Sequence, residues 1–311
     1  MSIHTFEPVR YYSALGTYDP VMTITSGDTV ITTTLDASGR DALLTKRHVG
    51  VNPMTGPFYI ADAEPGDTLR VRLDRITPNR RYGWTGTQLA PNVIDPEDNL
   101  ALSPLPEWGE RDGDWDVDAK AGTATLVEPA TSIGRFAIPT RPMIGCFGVA
   151  PPGDQAISTA TSSTHGGNMD YKGFVEGVNA FFPVAVPGAL FFLGDGHATQ
   201  GCGEVVGTGI EISMDVQFTV TLLKSKKIGW PRMENDTHIV TLGNARPLDQ
   251  ALQHATSELA RWLQTDYELD VMGSHILMGQ CIEYEIGNVF DPAYTVAAKM
   301  SKIFLAALGK V

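Results

Sequence analysis

The chain has 311 residues, of which 42% are hydrophobic and 19% charged, so it has enough apolar material for one large folded domain or two smaller ones. Its formal net charge of -13 at pH 7 would repel phosphate backbones and anionic lipid surfaces, and we therefore expect neither nucleic acid nor a membrane as a partner. The amino terminus has no apolar core of signal-peptide length behind a basic flank, and no apolar run elsewhere approaches the length of a membrane span, which predicts a cytoplasmic location. The three cysteines, Cys146, Cys202 and Cys281, are odd in number and widely spaced, and we interpret them as reduced thiols.

The first 130 residues have the pattern of a β-rich subdomain. The segments "SGDTVITTTLDA", from Ser26, and "PGDTLRVRLDRI", from Pro65, each place a Gly-Asp turn before a strand-like run. In the second segment Leu69, Val71 and Leu73 alternate with charged residues, which is the period of a half-buried strand. We therefore predict an N-terminal β-rich subdomain over residues 1–130.

Residues 80–118 interrupt this pattern as a long insertion. The stretch is rich in proline, acidic residues and tryptophan, and it has no sustained periodicity. Loops of this length are usually functional lids or mobile insertions. Two interpretations stay open here: the insertion covers a pocket, or it is a solvated segment or an arm that binds a neighbouring subunit.

Residues 131–311 are predicted to form a second β-rich subdomain that carries the catalytic residues. Strict alternation over residues 210–222 predicts a long antiparallel strand. Two later segments, residues 247–264 and residues 292–308, have the period of amphipathic helices, the second with Asp291 as its N-cap. The predicted fold class is α+β and β-rich, with antiparallel sandwich or distorted-barrel subdomains and these two amphipathic helices near the C-terminus.

The segment "FFLGDGHATQGCGE", residues 191–204, runs from an apolar strand into polar residues. Asp195 and His197 are two residues apart on the strand, so both side chains lie on one face, where they can approach the same metal ion. After the following turn, Glu204 begins a returning strand and can face the same space. The alternative is a side-chain hydrogen bond that closes a turn.

A second polar turn occurs in "THGGNMDYKG", residues 164–173. His165, Asn168 and Asp170 surround paired glycines, which allow a positive φ and a close approach of main-chain amides to a ligand. A tight turn with a local side-chain hydrogen bond is again the alternative. Because both turns carry histidine and aspartate and are separated by one strand unit, we predict that they form two walls of one polar pocket.

Several motifs together resemble the acetamidase/formamidase family of metal-associated hydrolases of short amides. These are "NPMTGPFYIADAEPGDTLRV", "RPMIGCFGVAP", "HGGNMD" and "FFPVAVPGALFFLGDGHATQGCGEVVGTGIE", which occur in the family's order from about residue 50 onward. The resemblance implies a β-rich subunit, assembly as a homodimer or higher homo-oligomer, and hydrolysis of formamide or acetamide to ammonia and a carboxylate. The chain departs from the family at Cys202, where relatives have aspartate, and at Ala61, where they have glutamate, which points to a different amide or metal.

A mechanism follows as a hypothesis from the residues and the resemblance. Asp170, Asp195 and His197 are predicted to bind a divalent ion, zinc first, with calcium and manganese as alternatives. Glu204 is predicted to be the general base and later the acid that protonates the departing ammonia. We expect Asn168 and the backbone amides before it to stabilise the oxyanion, and His165 to orient a ligand.

Two other functions stay open at this point. Cys202 lies beside the predicted base and could serve as the nucleophile of a metal-free amidase. Alternatively, the strand-turn-histidine pattern is similar to that of metal-holding β-barrels such as cupins, which would bind an ion or small ligand without turnover. Glu204 distinguishes these classes, because a binding protein needs no acid or base beside its ligands.

Overall fold

The computed structural model describes residues 1–103 and 112–309. The strands in chain order are β1 (Ile3–Thr5), β2 (Ala14–Leu15), β3 (Met22–Ile24), β4 (Thr29–Thr33), β5 (Thr55–Ile60), β6 (Thr68–Pro78), β7 (Tyr82–Gly86), β8 (Asp112–Asp118), β9 (Thr123–Glu128), β10 (Ala137–Pro139), β11 (Met143–Val149), β12 (Ile157–Ser158), β13 (Ser162–Ser163), β14 (Gly166–Asn168), β15 (Asn179–Pro183), β16 (Phe191–His197), β17 (Met214–Leu223), β18 (Arg232–Glu234), β19 (His238–Ala245), β20 (Glu283–Ile286) and β21 (Tyr294–Ser301). The α-helices are α1 (Asn99–Leu102), α2 (Leu248–Thr265), α3 (Val271–Cys281) and α4 (Lys302–Ala307), and a short 3-10 helix covers Pro91–Val93.

Two large sheets dominate the architecture. One has nine strands in the order β1-β4-β17-β6-β15-β18-β19-β21-β20, and the other has six in the order β13-β14-β11-β16-β5-β3. Smaller sheets have the orders β10-β9-β8-β7 and β12-β2. The predicted β-rich fold with antiparallel sheets is confirmed. Among the described residues none of these sheets closes on itself, so no distorted barrel is formed there.

The two large sheets share one hydrophobic core. Phe218 of the nine-stranded sheet lies with its ring centroid 5.3 Å from that of Phe58 and 5.2 Å from that of Phe191, both in the six-stranded sheet. Their edge-to-face contacts are the arrangement that aromatic rings favour. This packing forms the predicted sandwich, and the end of β16 carries the polar residues Asp195 and His197.

The alternating patterns predicted two strands of the nine-stranded sheet correctly. β6 buries Leu69, Val71 and Leu73, and it pairs along its length with β17 in an antiparallel register. β17 begins at Met214, however, four residues later than the alternation suggested. The residues before it contain Glu211, which is 2% exposed and belongs to the candidate site described below.

The insertion over residues 80–118 contains regular structure. β7 and β8 pair in an antiparallel register within the small sheet that also holds β9 and β10. Part of the insertion, residues 104–111, lies outside the described residues. The boundary near residue 130 stays a prediction, and strands from both sides of it share the nine-stranded sheet.

The first predicted C-terminal helix, residues 247–264, is confirmed as α2. The second, residues 292–308, is wrong: its first part forms β21 and only Lys302–Ala307 is helical. β21 lies between β19 and β20 and is buried on both faces, so its apolar residues lack the alternation that identifies a strand. The other C-terminal helix is α3.

No helix in residues 1–103 or 112–309 has both the length and the apolar character needed to cross a membrane.

A buried ion pair joins α2 to the nine-stranded sheet. Arg232 Nη2 lies 2.7 Å from Glu258 Oε1, and the side chains are 4% and 0% exposed. Removal of one partner leaves the other charge buried without a counter-charge. We therefore expect Glu258→Ala to lower the free energy of unfolding by about 3–5 kcal/mol in denaturant titrations. The control is Arg261→Ala, which removes a 58% exposed partner of the same carboxylate. This change should lower the free energy of unfolding by less than about 1 kcal/mol. Equal losses in both variants would contradict this account.

Candidate functional site

The candidate site is built around β11 and its two neighbours. β14 pairs with one edge of β11 and β16 pairs with the other. Asp170 follows β14, whereas Asp195 and His197 belong to β16. All three side chains are buried, and one ligand atom of each lies within 4.8 Å of the other two. The structure thus brings together the three residues that were predicted to bind a metal ion.

Three further carboxylates adjoin this triad. Glu204 and Glu211 form a group with His197, and Glu204 and Asp291 form a group with Asp170, each with ligand atoms within 4.8 Å of one another. All three are buried, with exposures of 2–8%. Sequence reasoning missed Glu211, which it placed on the polar face of a strand, and Asp291, which it took as a helix N-cap. Glu211 is the last residue of the quoted motif that begins "FFPVAVPGAL", and that position was the signal that could have found it, whereas Asp291 lies in no quoted motif.

Gly145 of β11 provides the space in which the triad meets. A Cβ atom added there would lie 2.4 Å from Asp170 Oδ1, 2.9 Å from Asp195 Oδ2 and 3.0 Å from His197 Cε1. The Gly145 carbonyl also accepts the backbone N–H of Asp170, at 3.1 Å. Only glycine therefore fits at this position.

Three of the site carboxylates have a backbone conformation that non-glycine residues rarely adopt. The φ angles are +42° at Asp170, +56° at Asp195 and +47° at Glu204. Such strain persists only where the surroundings enforce it, and it concentrates at functional sites. Glu204 lies in a turn rather than at the start of the predicted returning strand, yet its side chain still faces the cluster.

Hydrogen bonds fix the orientation of the His197 ring. Gln200 Nε2 donates to the Asp170 carbonyl, so Gln200 Oε1 accepts from His197 Nδ1 at 2.8 Å. In a neutral ring Nε2 then carries the lone pair. The Nε2 atom lies 3.0 Å from Glu211 Oε1 and 3.5 Å from Asp195 Oδ1. A lone pair beside two carboxylates is repulsive unless a cation or a proton lies at Nε2.

Unpaired buried atoms identify the centre of the cluster. Asp170 Oδ1, Asp195 Oδ1, His197 Nε2 and Glu211 Oε2 have no hydrogen-bond partner within the described ranges. Buried polar atoms without a partner destabilise a fold, and those of charged groups do so most. Carboxylate oxygen and imidazole nitrogen are ligand types of zinc and manganese. The residues present therefore fit a divalent cation.

Burial and mutual repulsion shift the pKa values of the cluster. Burial raises the pKa of Glu211 and of Asp291 to about 7, and it raises the pKa of Asp170 and of Glu204 well above the usual range. Burial alone would lower the pKa of His197, but the adjacent Glu211 and Asp195 carboxylates outweigh it and raise that pKa. The cluster consequently favours positive charge within it.

Asn168 is held rigidly at the edge of the cluster. Its Nδ2 donates to Asp291 Oδ2 at 2.7 Å, and its Oδ1 accepts from Asn52 Nδ2 at 2.9 Å. An amide nitrogen has two N–H groups, so one of them remains for a ligand. The backbone amides predicted to assist it are those of Gly166 and Gly167, and they lie in β14, which pairs with a strand on each edge.

His165 is separate from this network. It is 2% exposed, neither ring nitrogen has a hydrogen-bond partner among residues 1–103 and 112–309, and burial lowers its pKa to about 4. It therefore lies in the core as a neutral ring. Its predicted role in orienting a ligand stays a prediction, and no hydrogen bond supports it.

A cavity of about 360 Å³ opens onto the cluster. Asn168, Asp195, Glu204, Glu211 and Asp291 line its polar part. The cavity walls among the described residues do not include Cys202, whose side chain is exposed, or Ala61. The two departures from the family pattern are thus outside the cavity.

Comparisons with known proteins show a related sequence and a similar fold. A sequence model of the acetamidase/formamidase family matches residues 149–252. The crystal structure of an acetamidase from Yersinia enterocolitica is 32% identical and superposes with a TM-score of 0.83, covering 97% of this chain and 93% of that one. A similar fold extends through nearly the whole chain.

Curated relatives match over shorter segments. An acetamidase of Mycolicibacterium smegmatis is 33% identical over 165 residues, which is 48% of this chain and 35% of that protein. A formamidase of Methylophilus methylotrophus is 31% identical over 134 residues, 40% of this chain and 30% of that protein. The chain spans about half the length of the curated relatives it matches, or less.

Proposed function

The chain belongs to the acetamidase/formamidase family, and on that premise we propose that it hydrolyses a carboxamide of the formamide or acetamide type to ammonia and the carboxylate. One observation carries the proposal: the unpaired buried ligand atoms of Asp170, Asp195 and His197 lie beside a carboxylate, Glu204, that lines a cavity. A cation site with an adjacent acid-base group supplies two functions that promote amide hydrolysis, activation of water and transfer of its proton.

Asp170, Asp195 and His197 would hold the divalent ion, with Glu211 as a further acidic neighbour. Zinc is the ion that we propose, because a buried site of imidazole and carboxylate ligands suits it; manganese and calcium are the alternatives. A divalent ion bound there supplies a Lewis acid that activates water and polarises the amide carbonyl. Gln200 keeps the His197 lone pair directed at the ion by accepting the proton of Nδ1.

Glu204 moves the proton in this proposal. Its carboxylate accepts a proton from the attacking water as the water oxygen bonds to the amide carbon. It then returns that proton to the amide nitrogen as the carbon–nitrogen bond breaks, which releases ammonia and the carboxylic acid; the acid passes its proton to ammonia and becomes the carboxylate. The N–H of Asn168 that does not bind Asp291 is directed, in this mechanism, to the oxygen that gains negative charge.

Two alternatives make different use of the same residues. A metal-free amidase would need Cys202 at the substrate, but its exposed side chain is not among the described cavity walls. A metal-binding protein without turnover would need no acid-base group at Glu204. Purified protein is therefore expected to release ammonia and acetate from acetamide in equal amounts, measured by enzymatic ammonia assay and chromatography. Absence of both products with every amide tried would refute the enzyme proposal.

We also propose that the chain self-associates. α3 and α4 expose large apolar side chains that packing within one chain leaves uncovered: Val271 (60%), Met272 (72%), Ile276 (62%) and Ile303 (76%). Apolar surface of this kind is typical of interfaces between subunits. A homodimer or higher homo-oligomer would cover it.

A further inference from the structure

We propose that Asn52 is a positioning residue of the reaction, which sets the orientation of the Asn168 side-chain amide and so directs its N–H groups into the cluster. This inference rests on the proposed amide hydrolysis, in which Asn168 donates to the oxygen that gains negative charge. Its evidence is a chain of three hydrogen bonds that begins at a backbone carbonyl and ends at Asp291.

The backbone fixes the orientation of the Asn52 amide. Asn52 Nδ2 donates to the Thr159 carbonyl oxygen at 3.2 Å. A backbone carbonyl can only accept, so the nitrogen of the Asn52 amide, and not its oxygen, must face it. Thr159 is fully buried, and its Oγ1 donates in return to the Val51 carbonyl at 2.9 Å, which ties the two segments together.

Asn52 transmits this orientation to Asn168. The second N–H of Asn52 Nδ2 donates to Asn168 Oδ1 at 2.9 Å. Since the oxygen of the Asn168 amide faces Asn52, its nitrogen points the opposite way, where it donates to Asp291 Oδ2 at 2.7 Å. A reversed Asn168 amide would place two N–H donors against each other at Asn52 and two oxygen atoms against each other at Asp291. Both contacts are repulsive, so the observed orientation is favoured.

The orientation decides whether Asn168 presents donors or an acceptor to the cavity. Asp195, Glu204 and Glu211 already line the cavity with carboxylate groups. In the observed orientation Asn168 adds N–H donors to this wall, whereas in the reversed orientation it would add another oxygen. An oxyanion is stabilised by the first arrangement and repelled by the second, because it needs donors where negative charge develops.

Asn52→Asp is the variant that tests this role. Asn52 has a φ of +41°, a conformation in which both asparagine and aspartate are enriched, so the substitution keeps the backbone as well as the shape of the side chain. The new carboxylate would face the oxygen atoms of Thr159 and Asn168. Asp291 Oδ2 would keep Asn288 Nδ2 as a donor, at 3.4 Å. The Asn168 amide is therefore expected to reverse and to donate to the carboxylate at position 52.

The first measurement is kcat and KM for acetamide by ammonia release. Asn52→Asp should lower kcat by about 100-fold, the order of loss that follows removal of one oxyanion donor. KM should change less than about threefold, because the lost interaction forms only as the oxygen gains charge. The matched control is Asn235→Asp, at a residue that is half-buried like Asn52. Asn235 Oδ1 accepts from the backbone N–H groups of Thr237 and His238, a role that aspartate retains, so both constants should stay unchanged.

A double-variant cycle separates positioning from a merely structural role. Asn168→Ala removes the donor and should itself lower kcat by about 100-fold. Because Asn52 acts through Asn168, adding Asn52→Asp to Asn168→Ala should lower kcat by less than about a further twofold. Losses that multiply in the double variant would overturn the inference while amide hydrolysis stands.

Neutron diffraction of deuterated crystals makes the orientation measurable without turnover, because it locates the amide deuterons. The Asn168 deuterons should face Asp291 in the unaltered protein and the carboxylate at position 52 in Asn52→Asp. The same orientation in both crystals would overturn the inference. A reversed amide in Asn52→Asp, with no ammonia from any amide in the unaltered protein, would support the orienting role of Asn52 and overturn the proposed hydrolysis.

Discussion

Glu204→Gln is expected to lower kcat/KM for amide hydrolysis by about 10³, because it removes the group that we propose moves the proton. Glutamine has nearly the same shape, so the turn that holds Glu204 at a φ of +47° should persist. The proposed ligands Asp170, Asp195 and His197 remain, and the amount of bound metal should stay close to that of the unaltered protein. Ammonia release and elemental analysis of the same preparation measure both quantities.

The control for this variant is Glu64→Gln, an equivalent change at an exposed glutamate outside the cavity walls. It should leave turnover and metal content unchanged. Full turnover in Glu204→Gln would remove Glu204 from the mechanism. Loss of the ion together with activity would make Glu204 a ligand instead of the acid-base group.

Gly145→Ala is expected to eliminate metal binding and to lower amide hydrolysis by more than about 100-fold. The added methyl group would lie 2.4 Å from Asp170 Oδ1, so the aspartate and the neighbouring β16 residues must move apart. A site built from fixed ligands tolerates little displacement. Elemental analysis, ammonia release and the circular dichroism spectrum separate loss of the ion from loss of the fold.

Gly279→Ala is the matched control for this change. Gly279 lies in α3, and among the described residues of one chain an added Cβ there would have no atom within 4 Å apart from its chain neighbours and the backbone of the helix itself. Alanine favours a helix over glycine, so stability should stay equal or rise slightly, with metal content unchanged. A full complement of metal in Gly145→Ala would show that the three proposed ligands do not share one ion.

Sequence reasoning located the part of the site that is encoded locally. Asp195 and His197 are two residues apart on a strand, so their common face follows from strand geometry alone. Their meeting with Asp170 depends on β11 lying between β14 and β16, a pairing that sequence patterns do not specify. That the two turns share one pocket was predicted from their residues, because each carries histidine and aspartate and one strand unit separates them.

The site residues whose position was predicted wrongly are those whose surroundings are formed by segments far away in the sequence. Glu211 continues an alternating pattern and looks like a surface residue, but its bridge to Trp84 turns it towards His197. Asp291 precedes a proline and resembles a helix N-cap, but the chain after it enters β21. Burial on both faces of that strand removes the alternation from its sequence, so a helical period was read where β21 lies.

The most direct test of the metal-dependent mechanism is ammonia release from acetamide by one preparation in three states. The protein is assayed as purified, after removal of metal with a chelator, and after return of zinc, manganese or calcium, with bound metal quantified in each sample. We expect turnover to fall as the metal content falls. Turnover should return in proportion to the zinc that is bound again, and it should be complete at about one zinc ion per chain. Undiminished turnover in protein whose measured metal content is close to zero would contradict the mechanism.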